Sequence, residues 1–157
     1  MNRAVFAAIA AIVLPSLASP VLAQHPFADF SERVHGAERV VVGTATDVRA
    51  RWQENQHGDR LIVSEVRIRV DETLKGNPAS EVTFDVEGGT LDGVTLRVSD
   101  LPQITPGYHA VFFLNGADGA TGSLHHRGFG IASVEADGRL AGSSMRLSDL
   151  RTLARGR

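Results

Sequence analysis

The chain has 157 residues, 43% apolar and 22% charged, with 16 glycines, no cysteine and a formal net charge of −2. That length suits one domain able to bury a core without staples and speaks against a multidomain enzyme. The missing cysteines exclude disulfides and thiol chemistry. The charge balance offers no electrostatic footprint for nucleic acid.

The apolar residues are unevenly spread, since 17 of the first 23 positions are apolar. Arg3 is followed by an uncharged apolar run over residues 4–14, too short for the roughly 20 residues that cross a bilayer. A polytopic membrane protein is thereby excluded. A helix-breaking stretch from Pro15 to Pro20 precedes Val21-Leu22-Ala23. This order is that of a secretory signal peptide, with small side chains placing the cut between Ala23 and Gln24. An uncleaved anchor fits less well, because the apolar run is short and a good cleavage site follows it directly. Residues 1–23 are expected to be the leader and residues 24–157 a single exported domain, periplasmic or extracellular and not inserted in a membrane after cleavage. That domain carries 15 basic residues against 18 acidic ones, and Lys75 is its only lysine.

Phe27, Phe30 and Val34 recur at helical spacing opposite Asp29, Glu32 and Arg33, and Gly36 stops the pattern, so a short amphipathic helix is predicted. From Val40 the period becomes two. Val40, Val42, Thr44, Thr46, Val48 and Trp52 fall on one face of a long strand, and Asp47, Arg49 and Arg51 on the other. After a polar loop over residues 53–59, Leu61 and Val63 resume the alternation, which then shifts phase to Val66, Ile68 and Val70. A β-bulge near Ser64-Glu65 would absorb the shift and help the sheet to curl. Glu65, Arg67, Arg69 and Asp71 fall on the exposed face.

Leu74-Lys75-Gly76-Asn77-Pro78 is a turn signal. Val82, Phe84 and Val86 alternate as a strand ending at Gly88-Gly89, and Val94, Leu96 and Val98 are expected to be its hairpin partner. Residues 101–108 carry Pro102, Pro106 and Gly107 and read as a loop. The continuous apolar run of residues 110–114 reads as a central strand buried on both sides. Asn115-Gly116 and Asp118-Gly119 form the next turn. Residues 123–126 and 129–134 read as short strands around Gly128. Leu147, Leu150 and Leu153, with Ser148 as a cap, predict a last short helix that must pack on the sheet. Together these elements predict an all-β fold: a small five-stranded barrel of the OB type with a short N-terminal and a short C-terminal helix.

Ala37-Glu38-Arg39-Val40-Val41-Val42-Gly43, a variable polar loop, and residues 66–76 ending in Thr73-Leu74-Lys75-Gly76 resemble the first two strands of netrin-like domains, the group that includes the tissue inhibitors of metalloproteinases. The stretch from Val82 to Leu114 also resembles secreted bacterial proteins that share the Leu-Lys-Gly turn, a glycine pair and a Pro-x-Gly stretch before an aromatic strand. The resemblance implies an OB-type five-stranded barrel with flanking helices. The inhibitors chelate a protease zinc through an N-terminal cysteine, whereas this domain would start at Gln24 and has no cysteine. That mechanism therefore does not carry over, although inhibition by surface occlusion stays open.

The chemistry-bearing motifs are few. No G-x-S-x-G elbow, H-E-x-x-H, P-loop or G-x-G-x-x-G occurs, and Ser123 and Ser143 sit among glycines as turn residues. Six histidines are available, and His125-His126, read on a strand, would point to opposite faces. One of them with His109, and with His57, Glu87 or Asp100 as further ligands, is the metal-site candidate. The competing reading packs one ring and solvates the other. Asn115 and Asp118 lack calcium-loop spacing, and Asp71-Glu72 diverge on a strand. Arg49, Arg51, Arg67 and Arg69 could bind an anion, but interleaved Asp47, Glu65 and Asp71 favour cross-strand ion pairs. Eight aromatics follow the leader, mostly at core phases, so a nucleic-acid stacking platform is not expected.

The expected function is thus a non-catalytic binding or interaction module with no cofactor, whose partner is another extracytoplasmic protein or an envelope component and not nucleic acid. The alternatives are a metal-binding or metal-dependent protein using His109, His125 and His126, and a cysteine-independent inhibitor of a secreted protease.

Overall fold

The computed structural model describes residues 29–116 and 121–156. The expected leader with its Ala23/Gln24 junction, Phe27, and the Asp118-Gly119 half of one turn lie outside the described residues.

Helix α1 spans Phe30–Gly36, and the Asp29 carboxylate at its N-cap accepts the Ser31 N–H at 2.7 Å. This satisfies a donor that the first helical turn leaves without a partner. Phe30 and Val34, one turn apart, form its buried face. Strands β1 (Arg39–Glu54) and β2 (Arg60–Lys75) make a long antiparallel hairpin, and β3 (Glu81–Glu87) adds antiparallel to β2. The short strands β4 (Gly89–Leu91) and β5 (Val94–Leu96) pair only with each other.

Strand β6 (His109–Asn115) returns to pair antiparallel with β1. Strand β7 (Thr121–Leu124) pairs antiparallel with β6 and parallel with β3, through Thr83 opposite Thr121 and Phe84 opposite Gly122. The ring β1-β2-β3-β7-β6-β1 is therefore closed, and the predicted five-stranded OB-type barrel is present. Strand β8 (Ile131–Ser133) continues β6's other edge beyond β7, after a single 3-10 turn at Arg127–Gly130. Helix α2 (Leu147–Arg155) ends the described chain.

Two cores result. Val41, Ala45, Val66, Ile68, Val82, Phe84, Ala110, Phe112 and Leu114 fill the barrel. Phe30, Val34, Val40, Val42, Val111, Phe113, Leu147 and Leu150 pack between the helices and the outside of the barrel. Strand β6 alternates between them, which is why its run is continuously apolar. Phe84 and Phe112 meet at 5.5 Å inside, and Phe30 and Phe113 at 6.2 Å under α1. Each fully buried side chain of this size stabilises by roughly 1.5–3 kcal/mol.

Several local expectations are corrected. No bulge lies near Ser64-Glu65; β2 carries an extra residue at Asp71 and at Leu74, and β1 carries one at Thr46, where Ala45 opposes Ile68 while Asp47 opposes Arg67. The bulge at Thr46 splits the predicted face of β1. Val40 and Val42 face the helices, whereas Val48, beyond the bulge, packs with the barrel interior. Strand β2 keeps one phase through Ile62, Ser64, Val66 and Ile68, and the buried Ser64 occupies an inward position that a hydrophobicity pattern passes over. Residues 94–96 pair with β4 rather than with β3. His125 and His126 sit in a turn, and Phe129 in the 3-10 turn, not on strands. At α2 the N-cap is Arg146, whose N–H donates to the Asp149 carboxylate at 3.0 Å, and Ser148 lies in the first turn.

Candidate functional site

The histidines do not converge. His109 opens β6, exposed, with its Nε2 3.8 Å from the Asp71 carboxylate. His125 lies four positions further along that strand, where its N–H donates to the Phe113 carbonyl at 2.9 Å. Four strand residues span about 13 Å. His126 does stay beside His125, with ring centroids 4.0 Å apart, because the turn places it in the left-handed region at φ 55°. His57 lies in the polar loop between β1 and β2 next to Gln56. Among the described residues no three carboxylates and histidines are grouped closely enough to hold a metal ion.

The His125 ring is a packed group. Its Nδ1 lies 3.1 Å from Asn115 Oδ1, its other face abuts Gly36, and Nε2 is buried without a hydrogen-bond partner. Burial first, then the neighbouring His126 and Lys75, push its pKa below the ordinary 6.5. A neutral ring with its proton on Nδ1 satisfies Asn115 and leaves Nε2 bare.

The outward arginines of the hairpin are paired, but only two of the pairs are cross-strand, both to β3, the other two lie within one strand, and Glu65 takes no part in them. Arg49 meets Asp47 at 2.7 Å, Arg51 meets Asp85 at 2.6 Å, Arg67 meets Glu81 at 3.5 Å and Arg69 meets Asp71 at 3.2 Å. Such exposed pairs contribute about 0–1 kcal/mol each and leave no basic patch for an acidic polymer. Glu72, next to Asp71, instead takes Arg151 at 2.8 Å and ties α2 to β2. The Ser143 hydroxyl donates to the Leu140 carbonyl within its turn.

The feature that sequence reasoning missed is a cleft of about 530 Å³ at one mouth of the barrel. Val48 and Ala50 of β1, Ser64 of β2 and the end of β3 form its base; the β4–β5 hairpin and the loop of residues 97–106 form its walls. The glycine pair makes the base. Gly88 and Gly89 have φ +109° and +133°, and a Cβ on Gly89 would fall 2.5 Å from Ser64 Oγ. The hairpin can therefore fold over the barrel only with glycine there. Ser64 Oγ donates to the Gly88 carbonyl at 2.7 Å, which pays for the inward hydroxyl.

One wall is braced from outside by a strained segment. His126 and Arg127 both have positive φ, at 55° and 54°, a backbone state that costs non-glycine residues of order 1–3 kcal/mol when surrounding contacts must enforce it. Arg127 reaches Glu87 at the end of β3 at 2.8 Å and Asp100 in the loop at 3.3 Å. The next residue, Gly128, backs directly on to the Asp100 carbonyl. A sequence signal for the cleft existed in Gly88-Gly89 followed by a proline-bearing loop, yet the pair also fits a plain strand end. No protein-family model matches the chain, and no curated protein matches it.

Proposed function

We propose that the chain is an exported, non-catalytic binding module of the netrin-like OB-barrel type, and that it binds its partner, an envelope component, in the cleft at the barrel mouth. The cleft carries this reading. Its volume of about 530 Å³ falls within the range of roughly 300–1,000 Å³ usual for small-ligand sites. Its lining is mixed, with Val48, Val86, Val98 and Ile104 beside the hydroxyls of Thr90, Thr95 and Ser99. Among the described residues the one carboxylate lining the cleft, Glu87, is tied to Arg127, and no histidine or lysine lines it. That composition suits holding a ligand more than moving protons. The netrin-like assignment draws support from the parallel closure of β3 on β7 and from helices packed outside the ring.

The test is native mass spectrometry of residues 24–157 after incubation with a small-molecule and lipid extract of the cell envelope. A bound species of defined mass is expected, and Val98→Trp, which fills the cleft from its half-exposed wall, should abolish it while the circular dichroism spectrum is retained. Absence of any bound species, or binding indifferent to Val98→Trp, overturns the reading.

A further inference from the structure

Among the described residues, every arginine but one has a partner on the chain: an ion pair, a hydrogen bond or an aromatic face. The exception is Arg97, and it lines the cleft. It follows β5 directly, at the start of the loop that forms one wall. Glu87, the carboxylate among the cleft's lining residues, is paired with Arg127, as is Asp100 in the loop. Arg97 is thus the one cationic residue lining the cleft, exposed and without an ion pair, and its planar fork matches a carboxylate's two oxygens. In the same cleft Val48, Val86, Val98 and Ile104 offer apolar surface, and Ile104 also belongs to the barrel core.

We propose that the cleft binds a small amphiphilic anion, an organic carboxylate bearing an apolar chain, with Arg97 receiving the carboxylate and the barrel mouth receiving the chain. This rests on the reading of the cleft as the binding site and names its ligand class. Net charge alone would repel such a ligand from a domain with 15 basic residues against 18 acidic ones, so recognition must be local.

Isothermal titration calorimetry with octanoate and octan-1-ol, which share the chain and differ in the head group, tests the proposal on residues 24–157. Octanoate should bind about tenfold or more tightly than the alcohol, the factor expected of a hydrogen bond to a charged group. Arg97→Gln should remove that advantage and leave the alcohol unchanged, and Val98→Trp should remove both. Equal binding of the two probes to the wild-type chain, or octanoate binding untouched by Arg97→Gln, overturns the anion inference while the cleft stands as a site. Silence of both probes, or binding that survives Val98→Trp, overturns the inference as well, and the envelope-extract experiment then decides the cleft itself.

Discussion

The ring of His125 lies so close to Gly36 that a Cβ on the glycine would fall 2.5 Å from Nε2 and 2.8 Å from Cε1. The last residue of α1 and the turn after β7 are thereby locked together, and α1 is held against the outside of the barrel. Gly36→Ala should destabilise the fold by about 1–3 kcal/mol, the usual cost of overpacking. Urea unfolding of Gly36→Ala, His125→Ala and the double variant measures the coupling. The double variant should lose less than the sum of the two, because shrinking the ring makes room for the methyl. Strict additivity would mean that the contact carries no energy.

The same ring makes the fold sensitive to mild acid. The folded-state pKa of His125 lies below its ordinary value of 6.5, through burial first and through His126 and Lys75 second, with Glu32 acting the other way. Below about pH 6.5 the unfolded chain takes up the proton before the folded one does, so stability is complete above that pH and is lost as pH falls through the folded pKa. Urea midpoints measured between about pH 7.5 and pH 5 should therefore fall more steeply for the wild type than for His125→Gln, which cannot titrate. Parallel slopes would exclude His125 as the source.

Lys75, the only lysine in the chain, spends its charge inside the fold. Its ammonium donates to the carbonyls of Val34 at 2.8 Å, His35 at 3.0 Å and Ala37 at 2.5 Å. These are the carbonyls that the end of a helix leaves without partners, and a cation there complements the helix dipole. Lys75→Met keeps the stem and removes the donors, with an expected loss of about 2 kcal/mol in urea unfolding. An amine-reactive reagent should modify Lys75 slowly in the folded chain and quickly once urea unfolds it. Rapid labelling of the native protein would show the ammonium to be unclasped.

The ring of strands was legible in the chain because alternation reports burial on one face and the run of residues 110–114 reports burial on two. The bulge expected at Ser64-Glu65 answered a phase shift that β2 does not have, and the actual extra residue of β1, Thr46, was not legible. Hydrophobicity locates an extra residue only where the faces differ, and the start of β1 is buried on both sides at Val40, Val41 and Val42, so the phase change at Thr46 left no trace. Ser64 misled in the opposite sense, since its hydroxyl is satisfied by the Gly88 carbonyl, a partner 24 positions away. For the candidate site, a histidine pair is conspicuous in one dimension, whereas the unpaired state of Arg97 shows only once the partners of the other arginines, Arg127 with Glu87 and Asp100 among them, are seen in the fold.

Two glycines give the sharpest contrast for the wall of the cleft. A Cβ on Gly128 would fall 1.5 Å from the Asp100 carbonyl oxygen and 2.6 Å from its carbon, both backbone atoms, so the loop itself would have to move. Gly138, in the turn before α2, has φ +79° but nothing within 4 Å of an added Cβ. Gly138→Ala should therefore cost only the strain of a left-handed alanine, about 1 kcal/mol. Gly128→Ala should cost about 3 kcal/mol, because it combines a clash with displacement of a braced segment. It should also weaken octanoate binding, since the displaced loop begins with Arg97 and Val98, while Gly138→Ala should leave binding alone. Paired urea unfolding and calorimetry on the two variants check both claims, and a Gly128→Ala protein as stable as Gly138→Ala would show that the loop is not pressed against the 3-10 turn.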